Sequence, residues 1–573
     1  MSISSQESAL SIRTVWAQFA LLWLVGNVAA YFLTSFFSNF YPLSYQFVLL
    51  SLLFQFLCGI GAFLFFSEIA QNAQIEKQNN PLTILTLFIA LTLGISAVMI
   101  SWQFPGIFHR RILFMDASML PLFVMLSLIS LGTSVVFLKT TIGDKFSQWL
   151  KQTQFFKFVQ ENLPGILLAI FFLFTYFTFS ETINFPQYRT LDEYFDTDIS
   201  VWIQRLTSTS RQDVSLVRAV HPAVLIFLRP LVWFISIFLH GDRLHAVFIM
   251  TAVAGAACVL LTWLIIKRSS GNTAYALIIA SLLGASNSHL LLSSMLETYI
   301  YSALALLLFI LLIQSENTSL KFTVPAGILV FGITVTNLIQ TCILYFFKYP
   351  RIKVIIKYVL MVVFITAALN LLQVWMYPNA KLFFIPSNLL HEQLYVSNPL
   401  DFSWRTAGRF ALIARAIPLY GMVAPTPFIL TKEMGMEFPN FRTYKILLGE
   451  FHVAGYRGLA DITVKFWIMI LAVAGILFLL ELFKSPKHVL FPLSLVLCLG
   501  FSFTLHLVYG DDPVLYSPNW VYALVLFVAL TLQRWADRWW LQLSLIIFLI
   551  LLINTNLRLI YQIMVISSPY FSK

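Results

Sequence analysis

Asp196 and Asp198 form an Asp-Thr-Asp pair beyond the end of an apolar run, within the polar stretch from Glu181 to Asp242 that interrupts an otherwise oily sequence. Six of the chain's 25 carboxylates fall between Glu181 and Asp213, a crowding that calls for a chemical reason. A carboxylate at a membrane–water boundary can act as a general base on a hydroxyl or hold a cation, and burial there raises its pKa toward useful values. The structural alternative is that either Asp caps a helix starting near Ile199, since Asp is a favoured N-cap residue.

Other groups belong on the same face. Arg218 and His221 follow, the latter in a His-Pro pair that also reads as a helix start with Pro at its first position. The stretch SNSHLLLSSMLETYIY contributes His289, Glu297 and Tyr299. A carboxylate at the edge of a span is costly without a task or a partner. Glu297 is therefore a site residue, a structural ion pair or a helix N-terminal acid. Arg405, Arg409 and Arg415 share one arm of a long loop with Asp401 and Trp404, either as a structural network or as forked donors to a phosphate. Asp511-Asp512-Pro513, with Tyr516 and Asn519, adds acid to this face, although two Asp residues before Pro can simply form a turn.

These groups need a scaffold, and composition dictates its class. The 573-residue chain is 59% hydrophobic and 11% charged, whereas a soluble protein has roughly 25% charged residues. Apolar runs of ~20 residues recur, each long enough to cross ~30 Å of hydrocarbon as a helix. The expectation is an all-α polytopic membrane protein with about 13 transmembrane helices, an external catalytic loop and a helical external cap. The net charge of +11 does not point to nucleic acid, because Lys and Arg sit mostly in short connections between spans, as in a topology signal. Cys58, Cys258, Cys342 and Cys498 all lie in apolar runs, which implies neither a disulfide framework nor a metal-thiolate site. The run beginning near Thr14 lacks a basic lead and exceeds a signal h-region, so it reads as a retained span.

Residues 1–140 read as four spans, at about 14–36, 43–68, 82–102 and 112–138, with no convincing polar constellation. His109, Arg110 and Arg111 at the mouth of the fourth read as snorkelling side chains or a lipid-phosphate contact. The basic connection from Lys139 to Asn162 reads as cytoplasmic, so the span over 164–180 runs outward. Residues 181–242 then become the first external loop of a module covering 141–376, with His221 to Leu239 as an amphipathic helix on the outer surface. Spans follow at 243–266, 272–290 and 298–313. The run from Val324 to Phe347, with Pro325, Gly327, Gly332, Thr336, Asn337 and Gln340, reads as two short broken helices lining a cavity. Residues 377–462 form the external cap, and 463–573 carry the last spans.

From about Pro164 onward the chain resembles the GT-C superfamily of integral membrane glycosyltransferases, which contains protein O-mannosyltransferases and the aminoarabinose transferase of lipid A. The likeness rests on FDTDISVWIQRL, VRAVHPAVLIFLRPL, KRSSGNTAYA and SNSHLLLSSMLETYIY, and leaves 1–140 without a counterpart. Ala and Val follow Pro222 where protein mannosyltransferases usually repeat Pro. The resemblance implies a sugar linked to polyprenyl phosphate, an acidic residue of the first external loop that takes the acceptor's proton, inversion at the sugar and departure of the lipid phosphate. It implies Asp198 as the base and Asp196 as second choice, with Arg218 and His221 toward the phosphate and Arg405 and Arg409 as alternatives. His289, Glu297, Tyr299 and Asp511 would join them in substrate binding. It fixes no cofactor, since some members need a divalent metal and others do not. The implied partners are the polyprenyl-phosphate sugar donor, a lipid, glycan or protein acceptor, and membrane lipids, in a bacterial cytoplasmic (inner) membrane with the site facing outward.

Two other classes compete. A transporter or flippase of a lipid-linked saccharide would distribute polar groups through the midplane and often show repeat symmetry, whereas these spans are nearly devoid of charge. A non-catalytic membrane assembly protein would tolerate neutral replacements of both Asp196 and Asp198. No Walker A or Gly-rich dinucleotide loop occurs, so coupling to ATP is not expected.

Overall fold

The computed structural model describes residues 23–79, 81–184, 193–315, 319–396, 404–431, 438–448 and 450–571. Its helices begin with α1 (Trp23–Ser38). They continue with α2 (Ser44–Asn79), α3 (Leu82–Trp102), α4 (Leu120–Lys139), α5 (Thr141–Gln152), α6 (Gln154–Ile183), α7 (Ile199–Thr207), α8 (Val224–Ile237), α9 (Arg243–Ser270), α10 (Thr273–Gly284) and α11 (Asn287–Leu292). The second half adds α12 (Tyr299–Gln314), α13 (Leu320–Ile333), α14 (Leu338–Lys348), α15 (Ile352–Met376), α16 (Pro386–Leu389), α17 (Trp404–Arg415), α18 (Leu459–Lys484), α19 (Leu490–Val508), α20 (Pro513–Tyr516), α21 (Pro518–Leu532) and α22 (Trp539–Phe571). Among the described residues, eight helices are long and apolar enough to cross a membrane: α2, α3, α6, α9, α15, α18, α19 and α22.

Several expected spans are shorter because polar residues interrupt them. The run expected over 272–290 ends as α10 at Gly284 and restarts as α11, where the Ser286 hydroxyl accepts the His289 N–H. Groups freed by the break find partners: the Asn287 and Ser288 amides donate to the Met422 and Gly421 carbonyls, and Asn556 Nδ2 donates to the Ala285 carbonyl. The 324–347 run does consist of two short helices, α13 and α14. Its polar side chains, expected to line a cavity, are bonded to protein instead: Asn337 Nδ2 donates to Asn519 Oδ1, and Gln340 links Asn337, Asn519 and Tyr522. Irregular backbone at membrane depth is tolerated when protein satisfies it in this way. The α8 helix, at 14 residues, falls short of the ~20 that a span needs.

The chain forms two compact units. The first contains α1, α2, α4, α5 and the start of α6. Its core sets Ala30, Phe47 and Phe123 against Tyr31, Phe54 and Cys58. Gly26 permits close approach there, since a Cβ would lie 3.0 Å from the Cys58 carbonyl oxygen. Arg111 pairs with Asp116 at 3.3 Å on the surface of this unit, a contact of little stabilising value.

The second unit takes residues 85–108 and everything from 167 onward except 237–242. Most of α3 joins it because Gly94 lets that helix pack against Phe174 and Thr175 of α6, and because Thr182 donates to Ser101. At its centre α9 is buried against α10 and α12. Contact at this point needs Gly255: an added Cβ would lie 2.2 Å from Ser293 Oγ and 2.9 Å from Tyr176. Gly255→Ala is expected to cost about 1–3 kcal/mol through overpacking, read as a lowered unfolding temperature in detergent. The control is Gly475→Ala in α18, where nothing lies within 4 Å of the new Cβ and helix propensity improves.

The 377–462 segment was expected to be a helical cap, but it carries two antiparallel ribbons beside α16 and α17. Strand β1 (Ile429–Thr431) pairs with β2 (Asn440–Arg442), and β3 (Tyr444–Leu447) pairs with β4 (Glu450–Val453). The aromatic and β-branched residues of NFRTYKIL and EFHV favour pleated pairing over helix, and Tyr444 stacks on Phe451 across the second ribbon at 5.0 Å. Asp401, Glu433 and Glu437 lie outside the described residues.

Candidate functional site

The β2 strand determines where Asp196 goes. The Phe195 amide donates to the Phe441 carbonyl and the Phe441 amide donates to the Glu193 carbonyl, tying residues 193–195 to the strand. Phe195 and Asp196 are thereby held at φ 54° and 72°, the left-handed region that non-glycine residues seldom occupy. This delivers Asp196 Oδ1 to Arg442 Nη1 at 2.6 Å in a largely buried ion pair. Asp196 is thus committed to a partner that was missed from the sequence.

Asp198 is placed differently. It occupies the N-cap position of α7, yet its side chain accepts no capping bond. Among the described residues no group donates to its carboxylate, which is half-buried. The capping assignment raised by the sequence therefore does not account for Asp198. Its main-chain N–H donates to Glu297 Oε1 at 2.6 Å, while Glu297 Oε2 accepts the Thr298 N–H at 3.1 Å. The connection between α11 and α12 thus brings a second carboxylate to the start of α7, 99 residues away in sequence.

Burial raises the Asp198 carboxyl pKa, and the charge of Asp196 adds to this; Arg205 and Arg218 oppose it. Glu297 is raised by burial first and then by the charge of Asp198, against the two amide bonds and Arg205. A buried carboxyl beside a half-buried one of like charge does not ionise readily, so Glu297 keeps its proton above the ordinary carboxylate range. Arg205 lies two turns along α7 from Asp198, on the same helix face. It stacks on Trp202, donates from Nη2 to the Leu216 carbonyl, and has a buried Nε with no partner among the described residues.

Arg218 forms the cationic side of the site. Its Nε donates to Glu392 Oε1 at 3.0 Å, and Nη2 donates to the other carboxylate oxygen and to the Tyr509 hydroxyl. Tyr509 in turn donates to Glu392 at 2.6 Å, and the guanidinium lies 4.3 Å from the Tyr395 ring centre. These bonds employ Nε and Nη2, leaving Nη1 without a partner among the described residues. Tyr299, at the head of α12, meets Tyr516 edge-on at 5.0 Å, and the Arg218 and Glu297 charges both act on it. Asp511 lies near Asp196 and Arg442, with its carboxyl pKa raised by burial and then by Asp196.

Other expected site residues are in structural use. The buried His221 Nδ1 donates to the Ile333 carbonyl at 2.7 Å, and Gln373 and Asn370 of α15 donate to the His221 and Pro222 carbonyls. The His-Pro pair therefore joins α8 to α13 and α15 rather than presenting a cation. His289 is fully buried in α11, where its hydrogen-bonding contact is Ser286. Arg409 directs its guanidinium at four carbonyls, those of His506, Tyr509, Gly510 and Asp511. Arg405 sits one turn earlier on α17, and its side chain lies outside the described residues. Asp512 caps α20 and accepts from the Thr443 amide and hydroxyl. Among the described residues no three His, Cys, Asp or Glu side chains come together as a metal-ligand set.

The sequence held a signal for one of the partners it missed. Arg205 could have been found by asking what shares a helix face with Asp198. Glu392, Arg442 and Tyr509 arrive from strands, turns and a 3-10 segment far away in sequence, and no local pattern marks them.

Acid should loosen this region. Burial, helped by repulsion from Arg218 and Arg205, lowers the His221 pKa to about 4, although its bond to Ile333 and the charge of Glu392 work the other way. The folded state thus binds fewer protons than the unfolded one, whose His titrates near 6.5. Its stability contribution is complete above that pH and is lost as pH falls from about 6.5 toward 4, by on the order of 3 kcal/mol. Thermal unfolding in detergent across this range should show a fall in wild type and a flatter profile in His221→Asn, which retains a donor for Ile333.

Residues 162–567 match the family model described as Predicted membrane protein (DUF2339). This is well over half of the chain, which therefore belongs to that membrane-protein family. The chain matches no curated protein and no solved structure.

Proposed function

From a chain that belongs to the DUF2339 family of membrane proteins and carries this geometry, we propose a glycosyltransferase. It moves a sugar from a polyprenyl-phosphate donor to an acceptor hydroxyl at the outer face of a bacterial cytoplasmic membrane. The observation that carries this reading is the Asp198–Glu297 pair: a half-buried and a buried carboxylate from distant segments, the first without a hydrogen-bond donor among the described residues, beside Arg205 and Arg218.

Asp198 takes the acceptor proton as the hydroxyl oxygen bonds to the anomeric carbon. The bond from that carbon to the phosphate oxygen breaks on the opposite face, and its electron pair leaves with the lipid phosphate. Arg218, held by Glu392 and Tyr509 with Nη1 uncommitted, offers positive charge to the leaving group. The unpartnered Nε of Arg205 can serve the same oxygens. Glu297 is a positioning residue: its carboxyl oxygens accept the Asp198 and Thr298 main-chain N–H groups and so orient the start of α7.

Charge distribution supports the outward assignment. Lys267 and Arg268 lie at the far end of α9, where Asn272 bonds Asp537 and Arg534 pairs with Glu481. The carboxylates gather where α9 begins and α10 ends. Cationic ends face the cytoplasm as a rule. The test is incubation of purified protein in liposomes with a panel of radiolabelled polyprenyl-phosphate sugars and acceptors. The expected result is a glycosylated product and free lipid phosphate; folded protein that consumes no donor in the panel would overturn the proposal.

A further inference from the structure

A cavity of about 390 Å³ lies away from the carboxylates, between the end of α7, α8, the start of α9 and the end of α15. Three arginines line it: Arg211, Arg229 and Arg243. Two of them cap α7, since Arg229 donates to the Arg205 and Ser208 carbonyls and Arg243 Nη1 donates to those of Thr207 and Ser208. Capping does not use all their donors. Among the described residues, Nε and Nη2 of Arg243 have no partner, and neither does the exposed guanidinium of Arg211.

None of the three is paired with a carboxylate among the described residues, and the Arg243 charge repels that of Arg229. Three like charges around one cavity are unfavourable unless an anion completes them. Guanidinium forks suit a phosphate's oxygens.

The walls indicate where such an anion comes from. Trp233 and Tyr377 line the same cavity, and Arg229 lies over the Tyr377 ring at 4.9 Å. Aromatic residues beside cations are typical of the bilayer's headgroup level. Next to the cavity, Leu231 and Phe234 of α8 and Trp375 of α15 are exposed by 51%, 56% and 76%, an apolar skirt suited to hydrocarbon chains.

We propose that this cavity binds the phosphate headgroup of an anionic membrane lipid, with Arg211 and Arg243 as its donors and Arg229 fixed between them. The site is separate from the Asp198–Glu297 pair, so it stands or falls independently of the transfer reaction. Arg211→Gln removes a guanidinium that makes no hydrogen bond or ion pair among the described residues, and Arg243→Gln keeps a donor for the α7 carbonyls.

The experiment is native mass spectrometry of detergent-purified protein titrated with dioctanoyl phosphatidic acid, dioctanoyl glycerol and inorganic phosphate. Loss of charge-assisted bonds of this kind costs about tenfold or more. Phosphatidic acid should bind wild type and lose at least tenfold in Arg211→Gln/Arg243→Gln, with dioctanoyl glycerol and inorganic phosphate much weaker. Equal binding of phosphatidic acid to wild type and the double variant, or equal binding of dioctanoyl glycerol, would overturn the site. Inorganic phosphate binding as tightly as the lipid would assign the cavity to a free anion and overturn the lipid assignment.

Discussion

Asp198→Asn is expected to lower the proposed sugar transfer by about 10²–10⁴-fold, the range over which a positioned general base contributes. The replacement is isosteric and leaves the main-chain bond from residue 198 to Glu297 in place. Folding should be preserved, because the wild-type carboxylate accepts no capping bond. Asp196→Asn tests the second candidate. It weakens the Arg442 pair and is expected to act mainly through the position of residues 194–198, with a smaller loss of rate. The sign of the pH dependence follows from Asp198. Asp198 must be ionised to accept a proton, so activity rises with pH through a titration above the ordinary carboxylate range. Glu297→Gln keeps an oxygen acceptor for the Asp198 main-chain N–H and, since burial and the Asp196 charge are what raise the Asp198 carboxyl, should leave that limb in place. Rate profiles of wild type, Asp198→Asn and Glu297→Gln check both points. Unchanged transfer in Asp198→Asn would assign the base elsewhere.

Arg409→Lys is expected to be among the most destabilising conservative changes in the protein, at about 3–5 kcal/mol. The arginine is buried and spreads its donors over the carbonyls of His506, Tyr509, Gly510 and Asp511, closing the turn between α19 and α20. An ammonium has three donors on one nitrogen and cannot span four carbonyls as a planar fork does. Several buried carbonyls would be left unpaired, and the turn holds Tyr509, which helps to hold Arg218. Loss of thermal stability should therefore accompany loss of the Arg218–Glu392 arrangement. Unfolding temperature in detergent and the monodisperse yield measure it. An Arg409→Lys protein as stable as wild type would show that the turn closes without these bonds.

The membrane class and most helix positions were legible because each depends on local composition. Apolar runs of span length and clustered carboxylates carry their meaning without knowledge of distant residues. Asp198 and Glu297 could be singled out for a related reason: a carboxylate beside an apolar run is unusual wherever it occurs. Local reading was less successful where two explanations shared one pattern. His221-Pro222 resembled a phosphate contact but is a buried junction, and Arg409 resembled a phosphate fork but binds main chain. In each case the competing requirement is that buried backbone carbonyls find donors, and which carbonyls are buried depends on how distant helices pack. The same holds for 377–462, where pairing of β2 with residues 193–195 converts a scattered loop into the clamp on Asp196. Sequence alone determined that the chain is a helical membrane protein with acid concentrated in one interrupted stretch. Only the tertiary structure decided that Asp196 is paired while the Asp198 carboxylate has no donor among the described residues, because Arg442 and Glu297 reach this segment across 246 and 99 residues of chain.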